Sequence, residues 1–504
     1  MDRHATKPGP IVRLNRRRFL QYAALSTAGA ALPASLTGCS ASRAVSQDAP
    51  RRRPDVLVLL ADDQTFNTIR MLGNAQVQTP HLDALAARGT TLSHCHNQGG
   101  WHGAICMASR AMMATGRHLY RITDPHDVRA SGNLDTDHTL WGEHFRNSGY
   151  KTFGTGKWHN GADSFKRSFS HGDAVYLGGM HPYSEERRMN GGPILLGHEH
   201  VQLRHYDGAA GSFEQYDGDA WSTDCFIDAA RAFVRDNAQG DDPLFTYVAF
   251  TAPHDPHHAP PEYRELYRDE DIELWPNFMP EHPFDTGDMR VRDEVMLPFP
   301  RDPEVIRSRM ADYFAMVTHI DARIGDLLAT LEELGRLDNT HIVFTADHGL
   351  GVGQHGLLGK QSQYDHSVRV PMVWAGPGIA PGEVSDELIY LHQMYATTCE
   401  LAGIQTPGHI DAPTLGPVLR GERPGYDTLI GCYRDRQRML RTDTHKLIRY
   451  PHNGEVQLFD MREDPWEMND LAEDPAQRSR VRELDALLRE WQPVVGDELE
   501  LAAL

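Results

Sequence analysis

Pro54-Asp55-Val56-Leu57-Val58-Leu59-Leu60-Ala61-Asp62-Asp63 is an apolar run opened by a proline and closed by two carboxylates. A short, almost uninterrupted apolar segment reads as a strand buried on both faces, the situation of a parallel strand covered by helices. Asp62 and Asp63 then stand at its carboxyl end, the edge where open α/β sheets gather ligands.

Outward from this run the alternation continues. Thr79-Pro80 opens a helix through Leu82, Leu85 and Ala86 that stops at Gly89, a proline start with a glycine end. A second helical stretch is predicted over 109–114. Strand signals at 244–250, 341–345 and 370–374 alternate with helical periodicities at 221–236, 305–335 and 391–402. Two long segments, 161–215 and 256–302, interrupt the alternation. The second is rich in proline, acids and aromatics, and segments of this length in an enzyme commonly roof or wall a cleft. Beyond Leu415 come short antiparallel strand signals at 438–442, 446–450 and 456–460, then a charged helix over 476–492. The expected fold class is α/β, a large mostly parallel sheet flanked by helices. It carries a smaller C-terminal subdomain of antiparallel sheet plus helix. The division falls as 54–414 and 415–504.

Composition narrows the function. Among 504 residues acids outnumber bases 70 to 50, and without residues 1–38 the balance is 44 bases against 69 acids. Such a body repels nucleic acid, so an anionic substrate needs a local cluster of cations. The six cysteines contain no CxxC pair, which argues against a zinc site or a dense disulfide framework. Arg16-Arg17-Arg18-Phe19-Leu20 precedes a weak apolar run, and Leu36-Thr37-Gly38-Cys39 closes it. Residues 1–38 therefore resemble a twin-arginine lipoprotein signal with a lipid anchor on Cys39, and 39–53 a flexible tether. The expected location is the cell envelope, periplasm or outer membrane.

The chemistry-bearing residues fall at the strand ends. Asp62-Asp63 and Asp347-His348 both follow apolar strands, and carboxylate oxygens favour a hard cation such as Ca²⁺ or Mg²⁺. Cys106 and Arg110 are one helical turn apart. Gly154-Thr155-Gly156-Lys157-Trp158-His159 places Lys157 and His159 at period two, with glycines that permit close approach to an anion. His254 follows a further strand, and Lys360 sits in a glycine-rich loop after Asp347. Hard-metal pairs, a nucleophile, three cations and two proton carriers suit hydrolysis of a sulfate or phosphate ester.

In the order PDVLVLLADDQ, TPHLDALAARGT, CMASRAMMATGRH, GTGKWH, TAPHDP, FTADHGLGVGQHG, GK and LFDMREDPWEMNDLA, these stretches resemble the formylglycine-dependent type I sulfatases of the alkaline-phosphatase superfamily. The resemblance implies an alkaline-phosphatase-like fold and conversion of Cys106 to 3-oxoalanine (formylglycine) by a maturation enzyme. It also implies a metal on Asp62, Asp63, Cys106, Asp347 and His348. Arg110, Lys157 and Lys360 would hold sulfate oxygens, His254 would protonate the leaving alcohol and His159 would act as base. The expected substrate is an O-sulfated carbohydrate or polysaccharide fragment, similar to those of bacterial polysaccharide sulfatases. The competing functions are a phosphodiesterase or phosphonate monoester hydrolase of the same superfamily, and an inactive surface glycan-binding lipoprotein. In one departure Ala108 stands where the family's C-x-P-x-R signature has proline.

Overall fold

A computed structural model describes residues 52–122, 133–179, 183–189, 192–195, 198–199, 201–422 and 425–504. The export signal and Cys39 lie outside the described residues. Asp55–Ala61 is buried along its whole length and lies between Leu244–Ala249 and Thr340–Ala346, parallel to both. Asp55 ties the start of these strands together: Oδ1 accepts from Leu244 N (2.8 Å) and Oδ2 from Arg336 Nη1 (2.9 Å).

The large sheet has ten strands and is mixed. Five adjacent strands are parallel: His171–Tyr176, Lys151–Lys157, Leu244–Ala249, Asp55–Ala61 and Thr340–Ala346. The outer strands run mainly antiparallel. Helices cover both faces. Phe245 and Tyr247 meet Trp141 of the helix Trp141–Asn147 on one face, while Phe153, in register with Thr246 between them, stacks on Phe233 of Ser222–Asp236 on the other. The helix Pro303–Glu333 packs on Ser222–Asp236 and starts at Asp302, whose side chain accepts from Glu304 N ahead of Pro303.

Several expected elements differ. The strand expected over 370–374 is split at Pro371, which has no N–H to give a ladder: Arg369–Val370 joins a small separate sheet and Met372–Ala375 the large one. Segment 161–215 is no cleft wall alone; it supplies His171–Tyr176, Gln202–Asp207 and Ser212–Asp217, which extend the large sheet at one edge. The outermost of these is solvent-exposed and polar, so it lacks an apolar signature. In 256–302 the aromatics turn inward. Trp275 meets Phe314 edge-on at 5.7 Å, Tyr263 stacks on His319 at 4.8 Å and Phe284 meets Tyr450 at 4.9 Å, so these rings serve packing.

At the C-terminal end Thr428–Tyr433, Gln437–Thr442, His445–Tyr450 and Glu455–Asp460 form an antiparallel meander flanked by the helix Arg478–Val495. Its outer strand also pairs in parallel with Gly99–Gly100, far away in sequence. Residues 52–504 form one compact unit.

Candidate active site

Because Ala61 registers with Ala346, Asp62-Asp63 and Asp347-His348 leave the sheet side by side. Backbone bonds lock the strand ends: Asp347 N donates to Ala61 O and Asp62 N to Ala252 O, both at 3.1 Å. Asp347 Oδ1 accepts from the backbone of both Asp63 (3.3 Å) and His348 (3.0 Å). Asp63 holds a left-handed backbone (φ 65°), and Tyr313 Oη donates to its carbonyl at 2.5 Å. A non-glycine residue in that region is strained and persists only where its surroundings over-determine it.

Cys106 arrives from the helix Ile105–Thr115, which begins four residues earlier than expected and so carries Cys106 in its first turn. Ser109 Oγ and Asn97 Nδ2 both donate to Asp347 O (2.6 and 2.8 Å), seating this helix on the strand end. Arg110 Nε donates to Asp347 Oδ2 at 2.8 Å, Nη2 lies 3.4 Å from Asp62 Oδ2, and Nη1 donates to Lys157 O. Lys157 Nζ pairs with Asp62, and Lys360 Nζ with both oxygens of Asp63 at 2.9 and 3.0 Å.

Of the two histidines, His159 lies against Cys106 and His254 against Asp63. His159 Nδ1 is 3.2 Å from Cys106 Sγ, and His254 Nε2 is 3.8 Å from Asp63 Oδ2. His159 does not continue the strand at period two as expected; it turns back with φ 64°. The glycines before it also serve another purpose. A Cβ on Gly154 would strike the rings of Phe165 and Phe169, and one on Gly156 would come within 1.8 Å of Ala249 O. They admit close packing between elements.

All these side chains are buried except His159, which is partly exposed. Burial pushes the Asp62 carboxyl up, but Lys157 and Arg110 outweigh it and hold the group well below the carboxylate range. Burial raises Asp63 well above that range; Lys360 opposes this, while Asp62 and Asp347 reinforce it. Burial also works against ionisation of Cys106, yet Lys157 and Lys360 bring its thiol below the ordinary value. Desolvation, aided by those lysines, keeps His159 and His254 neutral well below the usual histidine range.

The donor set fits a divalent cation. Asp62, Asp63, Asp347 and His348 each offer an atom within 4.8 Å of the others, and Asp62, Cys106 and His348 form an overlapping group. His348 Nε2 and both Asp62 oxygens are buried without a hydrogen bond, although Lys157 and Arg110 lie against Asp62 Oδ2 as ion partners and His348 Nε2 stands 3.0 Å from Asp63 Oδ1. Three crowded carboxylates with orphaned atoms match the oxygen-rich environment of Ca²⁺ or Mg²⁺. The sequence did not single out Asp255, Arg292, Asp293, Gln361, Tyr313 or Asn97, which brace the candidate site. Asp255, directly after His254, and Gln361, directly after Lys360, carried a positional hint.

Residues 54–404 match the family described as Sulfatase, and residues 353–493 that described as N-sulphoglucosamine sulphohydrolase, C-terminal. An ulvan-active sulfatase of Formosa agariphila is 26% identical across 90% of this chain and 84% of its own length. A structure solved in complex with its substrate D-glucosamine-2-N,6-O-disulfate superposes with TM-score 0.70 at 22% identity, covering 88% of this chain and 99% of that one. A phosphonate monoester hydrolase from Silicibacter pomeroyi gives TM-score 0.68 at 21% identity, covering 89% and 96%. These two structures share its fold.

Proposed function

This chain belongs to the sulfatase family, and from that membership we propose that it hydrolyses O-sulfate esters of a carbohydrate or polysaccharide fragment. One observation carries the assignment: Asp62, Asp63, Asp347 and His348 meet Cys106 in a buried site crossed by Lys157, Arg110 and Lys360. The carbohydrate class is supported by the sugar-active relatives; the inward-packed aromatics of 256–302 lend it nothing.

Asp62, Asp63, Asp347, His348 and residue 106 would hold a divalent cation, Ca²⁺ before Mg²⁺. That cation would polarise the ester, and a formylglycine formed from Cys106 would supply, as its hydrate, the attacking oxygen. Arg110, Lys157 and Lys360 then bind the non-bridging sulfate oxygens and counter the charge that builds on them. His254 gives the leaving alcohol its proton, and His159, 3.2 Å from position 106, takes one when sulfate is released. The burial of every group except His159 excludes water from the reacting centre.

The test is the mass of the tryptic peptide bearing Cys106 from the native host, together with assays of sulfate and phosphate esters of one alcohol. An aldehyde-mass peptide and faster sulfate release are expected. Thiol alone would leave the glycan-binding alternative, and faster phosphate release would favour the phosphohydrolase. We also propose export by the twin-arginine route with lipidation at Cys39, supported by Arg16-Arg17 and the Leu36–Cys39 box. Labelled fatty acid should enter the wild type and be absent from Cys39→Ala.

A further inference from the structure

His254 is held from behind. Its Nδ1 lies 2.9 Å from the carbonyl oxygen of Asp255 and 3.2 Å from Asp255 Oδ1, so Nδ1 carries a proton and Nε2 is the atom turned toward Asp63. The Asp255 carboxylate is buried and gripped by Arg292 through both Nη atoms, at 2.5 and 2.7 Å. Such a fork fixes a carboxylate in plane and in direction. Arg292 Nη2 reaches Asp293 Oδ1 at 2.6 Å, and Asp293 Oδ2 accepts from Gln361 Nε2 at 2.7 Å. Gln361 Nε2 also donates to Gly103 O (2.9 Å), in the loop leading to Cys106, and Gln361 is the neighbour of Lys360. A continuous polar chain thus runs from the back of His254 to both sides of the nucleophile. Arg292 and Asp293 come from the 256–302 segment, which here works as a strut.

We propose that Asp255 and Arg292 are positioning residues that orient the His254 ring so that Nε2 meets the departing alcohol oxygen. This rests on the sulfatase reading and deepens it. In that step the ring first takes a second proton from solvent onto Nε2 as the anionic ester binds. The S–O bond to the alcohol then breaks, its electron pair stays on the alcohol oxygen, and that oxygen takes the Nε2 proton, leaving a neutral ring with its proton on Nδ1. The sulfuryl group passes to the oxygen nucleophile at position 106, and nothing is oxidised or reduced. The more basic the leaving oxygen, the more the reaction needs that proton. Loss of the clamp therefore selects against poor leaving groups.

Asp255→Asn and Arg292→Gln, prepared as full chains with residue 106 conversion checked by mass, are compared with wild type on phenyl sulfate and 4-nitrophenyl sulfate. On phenyl sulfate kcat falls about a hundredfold at little-changed KM; on the better leaving group the loss stays below about tenfold. Arg292→Lys, which keeps the charge and loses the fork, falls between. Spectra of isotope-labelled histidine show His254 protonated at Nδ1 in wild type and a mixture of tautomers in the variants. Equal losses on both esters, or unchanged tautomers, overturn the positioning role. Wild type inert on both esters and on D-glucosamine-2-N,6-O-disulfate overturns the sulfatase reading instead. Arg292 is half-buried, so its variants decide the matter if Asp255→Asn does not fold.

Discussion

The sulfur of Cys106 lies 3.2 Å from Nδ1 of His159, and the His159 ring is confined in turn, since a Cβ on Gly179 would fall 2.4 Å from its Nε2. The proposed nucleophile position and the proposed base are therefore in contact before any substrate enters. Replacing Cys106 with serine keeps this packing while removing the thiol that the proposed maturation would convert. We expect sulfate ester turnover to fall by about a thousandfold or more with the melting temperature unchanged, read from initial rates and a thermal melt.

Lys157 and Arg110 differ in what their removal costs. Lys157→Met leaves Arg110 beside Asp62, so turnover should fall by about a hundredfold or more in a folded protein. Arg110→Ala leaves Lys157 on Asp62 but removes the ion partner of the buried Asp347 Oδ2, and should cost about 3–5 kcal/mol of stability together with activity. Denaturant unfolding alongside rate measurements separates the two.

Stripping the protein with a chelator should lower its melting temperature, and calcium should restore it. At a free calcium concentration one hundred times Kd the linkage amounts to about 2.7 kcal/mol. Asp347→Asn should blunt this response, since its carboxylate belongs to the donor set. A calcium-independent melt in wild type would contradict the metal assignment.

Away from the active site, Lys446 Nζ binds Asp365 Oδ1 (2.7 Å) and Glu467 Oε1 (2.6 Å), with Arg369, Arg441 and His96 around Asp365. Burial pushes the Glu467 carboxyl up from 4.5 to about 7, against the pull of Lys446 and with the help of Asp365. Between those values the folded protein keeps a proton that the unfolded chain has released. This contribution to stability is present at low pH and is lost as pH rises through about 7. Glu467→Gln should flatten the fall in melting temperature between about pH 5 and 8 relative to wild type.

Gly156→Ala tests the packing role of the glycines. With φ at 80° and its Cβ 1.8 Å from Ala249 O, the substitution should separate Lys151–Lys157 from Leu244–Ala249. A loss of about 2 kcal/mol or more, or insoluble protein, is expected from expression and melting measurements.

The residues at the strand ends were legible because chemistry and periodicity coincide there: an apolar run that stops at two acids announces both a buried strand and its ligand edge. Asp62, Asp63, Cys106, Arg110, Lys157, His159, His254, Asp347, His348 and Lys360 all come together. Less was legible where tertiary contact overrides local pattern. Ser212–Asp217 is a strand only because Gln202–Asp207 lies beside it. The inward turn of Trp275 depends on the distant Phe314. The Asp255–Arg292 fork joins positions whose sequence separation exceeds any local pattern.

The short ladder between Gly99–Gly100 and Cys432–Tyr433 has a temporal meaning. The stretch leading into residue 106 receives this pairing partner only after position 433 of 504 has been synthesised. In the folded protein the Cys106 thiol is 2% exposed. If Cys106 is converted as proposed, an enzyme that needs the surrounding peptide would have to act before this ladder closes, and the arrival of the final sheet would then time the activation.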